Sequence, residues 1–309
     1  VGDAKLFRLG SDGVSELTSS SYAIERSLQS LIEQNLQTFF SIRLLRSEYS
    51  TGRAHGGRID TIGIDENSSP VILEYKRSTN DNVISQGLFY LDWLLDHKGE
   101  FKVLVQETLG HAAADGVDWS SPRVICIAAD FTKYDEHAVK QMGRDIELVR
   151  YRKYGEEFLM LEMANSPISI TIEQPKMPKQ VVGPASGSKH VAKSVSGRLE
   201  SSSPEVKSRF ERLENFLFSL GDDVQKKVAQ DYFAYRRLKN FACVEVHPQL
   251  KRVTAFVNAD FIDFVPEENF TRDVRKIGHY GTGGLEISMF SDFDVERAKP
   301  LIEKSYRLG

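Results

Sequence analysis

From Gln174 to Pro204 the chain reads QPKMPKQVVGPASGSKHVAKSVSGRLESSSP, rich in Pro, Gly, Ser and Lys and poor in large apolar residues. Such a stretch buries too little surface to offset the entropy of ordering it, and it reads as a flexible linker. The chain has 309 residues, more than one compact core usually organises. The expected plan is therefore a first domain over 1–173, a linker over 174–204 and a second, smaller α+β domain over 205–309. No internal repeat relates the two halves.

Several classes of protein are disfavoured at the outset. Cys126 and Cys243 each lie inside an apolar run, VICIAA and NFACVEV, so they make neither a disulfide framework nor a zinc site. Buried free thiols are the simpler reading. No apolar stretch approaches the roughly 20 residues needed to cross a bilayer, and the N-terminus lacks the blocks of a signal peptide. A cytoplasmic protein without membrane contact is expected. The formal net charge of -4 differs from that of a duplex binder that is basic overall, so any contact with nucleic acid must use local patches.

The first part alternates strand and helix signals, as an α/β domain does. KLFRLGSDGVSEL reads as a hairpin around Ser11, Asp12 and Gly13, placed to shield a sheet edge. Ile24, Leu28, Leu31, Ile32 and Leu36 recur at helical spacing behind serines able to cap. RIDTIGID and VILEYK, separated by the turn-forming ENSSP, should pair as antiparallel strands. Asn80 and Asp81 offer caps for a helix running to about Lys98 and Gly99. FKVLVQ and PRVICIAADF read as strands. A short helix from Asp135 to Met142 and the strands IELVRY and EFLMLEM follow. In the second part VKSRFERLENFLFSL and DDVQKKVAQDYFAYRRL have helical periodicity, whereas FACVEVHP and VTAFVNAD read as strands.

The chemistry concentrates in RIDTIGIDENSSPVILEYK. Asp60 lies near the start of one strand, and Glu74 and Lys76 lie two apart on the next, hence on one face of the sheet. VILEYK carries an apolar run straight into two opposite charges. Buried charges require a partner or a metal. Hydrolysis of a phosphodiester needs the phosphate charge offset, water made more nucleophilic and the leaving oxygen stabilised, which Mg²⁺ held by hard oxygen ligands supplies. An ordinary ion pair at a strand end accounts for Glu74 and Lys76 equally well when those two are taken alone.

Asp60, the triplet Glu74-Tyr75-Lys76 and the segment Gln86-Gly-Leu-Phe-Tyr90 together resemble the PD-(D/E)XK nuclease superfamily, the last segment being similar to the QxxxY element of its RecB-like branch. More narrowly, GGRIDTIGID, VILEYKR and ISQGLFYLDWL resemble the catalytic domain of NucS-type endonucleases. The resemblance covers about the first half of the chain and rests on combined spacing rather than on the short acidic motif. It implies a restriction-endonuclease-like α/β core, a mixed sheet flanked by helices. It further implies Asp60 and Glu74 as metal ligands with the Tyr75 carbonyl, Lys76 orienting or activating water, and Gln86 positioning that water or Lys76. Tyr90, one turn after Gln86, would support it or touch a phosphate. An acid on the first helix often joins such sites; Glu25 is the best match, with Glu33 as the substitute. The literal Pro-Asp is absent, since Ile59 precedes Asp60.

The activity so implied is Mg²⁺-dependent cleavage of phosphodiester bonds, with Mn²⁺ able to substitute and DNA as the expected polymer. Arg53, Arg58 and Arg77 flank the acids and suit phosphate binding, although each also fits ordinary surface pairing. His55 in AHGGR reads as a solvated loop histidine or part of a lid. Asp65, Asp92, Asp96 and Asp130 read as caps and surface charges. A homodimer is open to such a protein, because two copies of one site can cut both strands. The competing reading is a nuclease fold kept for binding nucleic acid or protein without turnover.

The second part resembles a C-terminal domain family with no established chemistry, through NFACVEV and RKIGHYGTGGLEISMFSDFDVERAKPLIEKSY. In IGHYGTGGLEI the glycines 278, 281, 283 and 284 suit a tight turn feeding a strand, or an anion cradle beside His279. Tyr232, Phe233, Tyr235 and Phe241, interleaved with Arg236, Arg237 and Lys239, suit either a small aromatic core or a face that stacks bases.

Overall fold

The computed structural model describes residues 5–11, 13–22, 25–76, 83–164, 194–259, 265–279 and 281–308. The chain divides into two compact units, Val1–Pro167 and Ile168–Gly309.

In chain order the first unit carries β1 (Leu6–Gly10), β2 (Gly13–Leu17), β3 (Ser19–Ser20), α1 (Glu25–Gln34), α2 (Leu36–Phe40), β4 (Arg43–Ser50) and α3 (Gly52–His55). Then come β5 (Arg58–Ile64), β6 (Pro70–Lys76), α4 (Val83–Asp96), α5 (Lys98–Leu109), α6 (His111–Asp115), β7 (Arg123–Ala128), α7 (Lys133–Gln141), β8 (Asp145–Tyr154) and β9 (Phe158–Met163). The main sheet runs β3-β8-β7-β6-β5-β4, with β9 paired to β8. β4, β5 and β6 are antiparallel neighbours, whereas β6, β7 and β8 run parallel. The unit is thus mixed α/β, a mixed sheet flanked by helices.

The period-two alternation of the strands separates two faces. Ile62, Ile64, Ile72, Val124, Cys126, Ile146 and Leu148 form one core with Leu91, Leu94, Phe101 and Leu104 of α4 and α5. α1 packs against β5 and β6, with Leu28 and Ile32 fully buried. The ends of the sheet are tied by charge. At the start of β7, Arg123 donates to Asp65 Oδ2 at 2.9 Å and to both oxygens of Glu147 at 2.8 and 3.0 Å, all three residues being buried. Asp65 also accepts the amides of Asn67 and Ser69, which shapes the turn between β5 and β6. It is therefore an interior turn residue rather than a surface charge. Asp130 caps the Phe131 amide and holds Arg150 at 2.6 Å.

Four expectations about elements are corrected. FKVLVQ is helical, within α5, because Phe101, Leu104 and Val105 are buried at helical spacing while Val103 points outward at 54% exposure. The opening hairpin forms its own two-stranded sheet of exposed residues, and the short β3 is what pairs with β8 there. DDVQKKVAQDYFAYRRL is not a helix: it gives two antiparallel strands, in which alternating Phe233 and Tyr235 enter the core. The expected linker fails over 194–204, where a helix forms whose first residue, Val195, is fully buried; 174–193 lie outside the described residues, as do the expected caps Asn80 and Asp81. β4, absent from the reading of the sequence, completes the sheet.

The second unit carries α8 (Val195–Glu200), α9 (Pro204–Ser219), β10 (Gln225–Val228), β11 (Phe233–Arg236), β12 (Asn240–His247), β13 (Arg252–Val257), β14 (Thr271–Asp273), β15 (Leu285–Met289) and α10 (Asp292–Leu308). Its sheet, ordered β10-β11-β12-β13-β15-β14, is antiparallel throughout and packs on α8, α9 and α10. Tyr232, Phe233, Tyr235 and Phe241 are all buried, so the aromatics serve packing. Arg236 is buried beside Gln225, and Arg237 pairs with Asp223 at 2.6 Å. The glycine-rich turn folds onto the sheet: His279 stacks on Phe256 and the Thr282 amide donates to Cys243 Sγ at 3.3 Å. Gly281 has φ +79°, and a Cβ there would meet Cys243 Cβ at 2.6 Å, which accounts for glycine.

Candidate active site

β5 and β6 stay paired from Ile64–Pro70 to Thr61–Leu73, and there the ladder ends. Beyond it β6 continues alongside β7, with Glu74 opposite Cys126 and Lys76 opposite Ala128. The strands thus part at Asp60 and Glu74, and side chains take over the amides that the ladder leaves. Asp60 N donates to Glu74 Oε1 at 3.2 Å, and Tyr75 N donates to Asp60 Oδ2 at 3.1 Å. Each acid is fixed by the backbone of the other strand.

Glu74 is wholly buried, and its second oxygen, Oε2, meets no hydrogen-bond donor among the described residues. Burial, followed by the charge of Asp60, pushes its pKa up to about 9. Burial likewise raises the pKa of Asp60 against the opposing influence of the Tyr75 amide and Lys76. Two carboxyls that resist ionisation while side by side need positive charge to become a stable anion pair. Lys76 supplies part of it. Burial lowers the ammonium pKa, but Glu25, with Asp60 and Glu74, outweighs it and the net shift is upward. Lys76 Nζ lies 3.2 Å from Glu25 Oε1 at the start of α1.

The fold therefore brings Asp60, Glu74, Tyr75, Lys76 and Glu25 together. Glu33 sits elsewhere, accepting from Thr61 Oγ1 at 2.5 Å and from Gln29 Nε2 at 3.1 Å. Tyr90 and Gln86 form an adjoining pair. The Tyr90 hydroxyl accepts the Arg58 amide at 3.0 Å and lies 3.5 Å from Gln86 Nε2. A Cβ on Gly57 would meet the Tyr90 ring at 2.5 Å, so the approach to β5 is moulded against α4. The geometry gives Tyr90 a part in holding the strand that carries Asp60.

Among the expected phosphate ligands, Arg58 pairs with Glu48 at 3.0 Å, Arg53 is exposed on α3, and Arg77 lies outside the described residues. His55 stacks on Phe89 with ring centroids 3.9 Å apart. Gln29 and Thr61 escaped the reading of the sequence. Their signal was available in part, because Glu25, Gln29 and Glu33 recur every four residues along one face of α1.

Residues 191–309 match a family described as "Domain of unknown function (DUF5655)". An uncharacterized protein of Haemophilus influenzae is 26% identical over 310 residues, covering 98% of this chain and 99% of that relative. Among solved structures, a repair endonuclease from Pyrococcus abyssi is 21% identical with a TM-score of 0.29, over 44% of this chain and 51% of that one. An EndoMS complex with double-stranded DNA is 19% identical with a TM-score of 0.24, again over 44% of this chain and 51% of that one. The matched part spans about half of each of those two endonuclease chains.

Proposed function

We propose that the protein is a divalent-metal-dependent nuclease that hydrolyses phosphodiester bonds in DNA, with the second unit aiding recognition or partner binding. The observation that carries this reading is the pair of acids at the parting of β5 and β6, with Glu74 Oε2 buried and without a hydrogen-bond donor among the described residues. An orphaned carboxylate oxygen in the interior is costly unless a cation completes it. Among the described residues no group of three or more His, Cys, Asp or Glu side chains is arranged to hold a metal ion. In this reading the donor set is Asp60, Glu74 and, as the resemblance in sequence implies, the Tyr75 carbonyl, all oxygen, which suits Mg²⁺ or Mn²⁺. When bound, such an ion offsets phosphate charge and lowers the pKa of attacking water.

The chain's own groups do the rest. Lys76, anchored by Glu25 at the edge of the acids, orients water and opposes developing negative charge. Gln86 and Tyr90 hold the start of β5, and so Asp60, in place. Arg53 is available to a phosphate from the surface of α3.

The direct test is incubation of purified protein with single-stranded, duplex, branched and mismatched DNA in Mg²⁺ or Mn²⁺, beside Asp60→Ala, Glu74→Ala and Lys76→Ala. Cleavage by the wild type that all three variants lose is expected. Equal cleavage in all three would move the chemistry elsewhere, and DNA binding without any cleavage would favour the binding module.

A further inference from the structure

On the side of β5 and β6 facing α1, four polar groups form one connected chain. Gln29 Nε2 donates to the Asp60 carbonyl at 2.9 Å and to Glu33 Oε1 at 3.1 Å. Thr61 Oγ1 donates to the same Glu33 oxygen at 2.5 Å, and the Thr61 and Tyr75 hydroxyls lie 3.1 Å apart. Gln29, Thr61 and Tyr75 are at most 6% exposed. Burying this many polar groups is unfavourable unless all are satisfied, and an apolar packing of the same volume would serve stability as well. The location matters, because the chain crosses from α1 to β5 to β6 where the backbone ladder between the two strands ends.

We infer that Gln29, Glu33, Thr61 and Tyr75 form a positioning clasp that sets the separation of Asp60 and Glu74, and so the grip of these acids on a divalent cation. The inference rests on the metal-site reading above for its consequence, but the clasp itself is a property of the metal-free protein. Past Thr61–Leu73 two amide-to-carboxylate bonds join the backbones of the strands among the described residues, and both use the acids that would turn toward a cation. A second connection, independent of those carboxylates, is needed to keep the strands in register. Gln29 holds the Asp60 carbonyl, and the hydroxyl of Tyr75 ties the residue between Glu74 and Lys76 back to β5. Glu33 is then a positioning residue at the junction of the clasp, and Glu25 is the acid of α1 that belongs to the catalytic edge.

The test compares Tyr75→Phe and Thr61→Val with the conservative Thr61→Ser. In metal-free protein, amide exchange at Asp60 and Tyr75 should quicken at least about tenfold in the first two variants, with Ile125 and Ile127 of β7 unchanged and Thr61→Ser like wild type. Calorimetric affinity for Mn²⁺ should fall by about 10- to 100-fold in the same two variants, as for other groups that support metal ligands, and recover in Thr61→Ser. Tyr75→Phe removes a single oxygen, so it keeps the test open if Thr61→Val does not fold. Exchange at Asp60 and Tyr75 within twofold of wild type, or a uniform rise across the sheet, would overturn the clasp. If wild type binds no Mn²⁺ and cleaves nothing, the nuclease reading falls, and local exchange alone decides the clasp.

Discussion

The backbone amide of Asp60 donates to the carboxylate of Glu74 at 3.2 Å across two strands that have just ceased to pair. The bond places two carboxyls beside one another where neither ionises easily. Stability is spent there on an arrangement that an apolar pair would serve better, and that cost is what the proposed metal site would account for.

Replacing the Glu74 carboxyl by an amide that cannot ionise should therefore stabilise the metal-free protein above pH 4.5. Its folded pKa of about 9 lies above the ordinary value of 4.5, so the neutral acid favours folding below pH 4.5 and that advantage is lost as pH rises through 9. In EDTA, Glu74→Gln should be more stable than wild type by up to about 5 kcal/mol at pH 8, and the two should converge near pH 5. Urea melts at both pH values check this. A variant less stable at pH 8 would contradict it.

Lys76 and Glu25 should separate by size of effect. Lys76→Met removes a charge beside the acids and should lower the cleavage rate by about 100-fold or more. Glu25→Gln only loosens the ammonium's anchor and should cost about tenfold, with Mn²⁺ affinity nearly unchanged. Single-turnover rates distinguish them, and equal losses would place Glu25 among the ligands.

Gly57→Ala should destabilise the first unit by about 1–3 kcal/mol, since the added Cβ meets the Tyr90 ring. Tyr90→Phe should cost about 1 kcal/mol through the lost bond to the Arg58 amide. Combining Gly57→Ala with Tyr90→Ala should recover part of the first loss. Denaturant melts of the set provide the measurement.

Arg123→Met should be the most destabilising of these changes, about 3–5 kcal/mol, because Asp65 and Glu147 would remain buried without their shared cation. Near-neutral stability in that variant would mean that water reaches both acids.

How much was legible follows from the range of the forces involved. The antiparallel pair RIDTIGID and VILEYK, the helix carrying Gln86 and Tyr90, and the buried thiols are set by local periodicity and turn chemistry, and they appear in the fold where the sequence places them. FKVLVQ shows the limit. Its apolar residues satisfy strand and helix patterns alike over six positions, and packing of Phe101 and Leu104 against the sheet decides for the helix. DDVQKKVAQDYFAYRRL shows the reverse, where pairing with β12 overrides helical spacing.

For the site, the sequence alone determined that Asp60, Glu74 and Lys76 lie on neighbouring strands, because period-two geometry and a short turn leave little choice. Only the tertiary structure decided that Glu25 reaches Lys76 while Glu33 is engaged by Thr61 and Gln29. Residues 25, 29 and 33 share one helical face, so local geometry treats them alike. Their roles separate because α1 crosses β5 and β6 where those strands diverge, and each turn of the helix meets a different part of the opening.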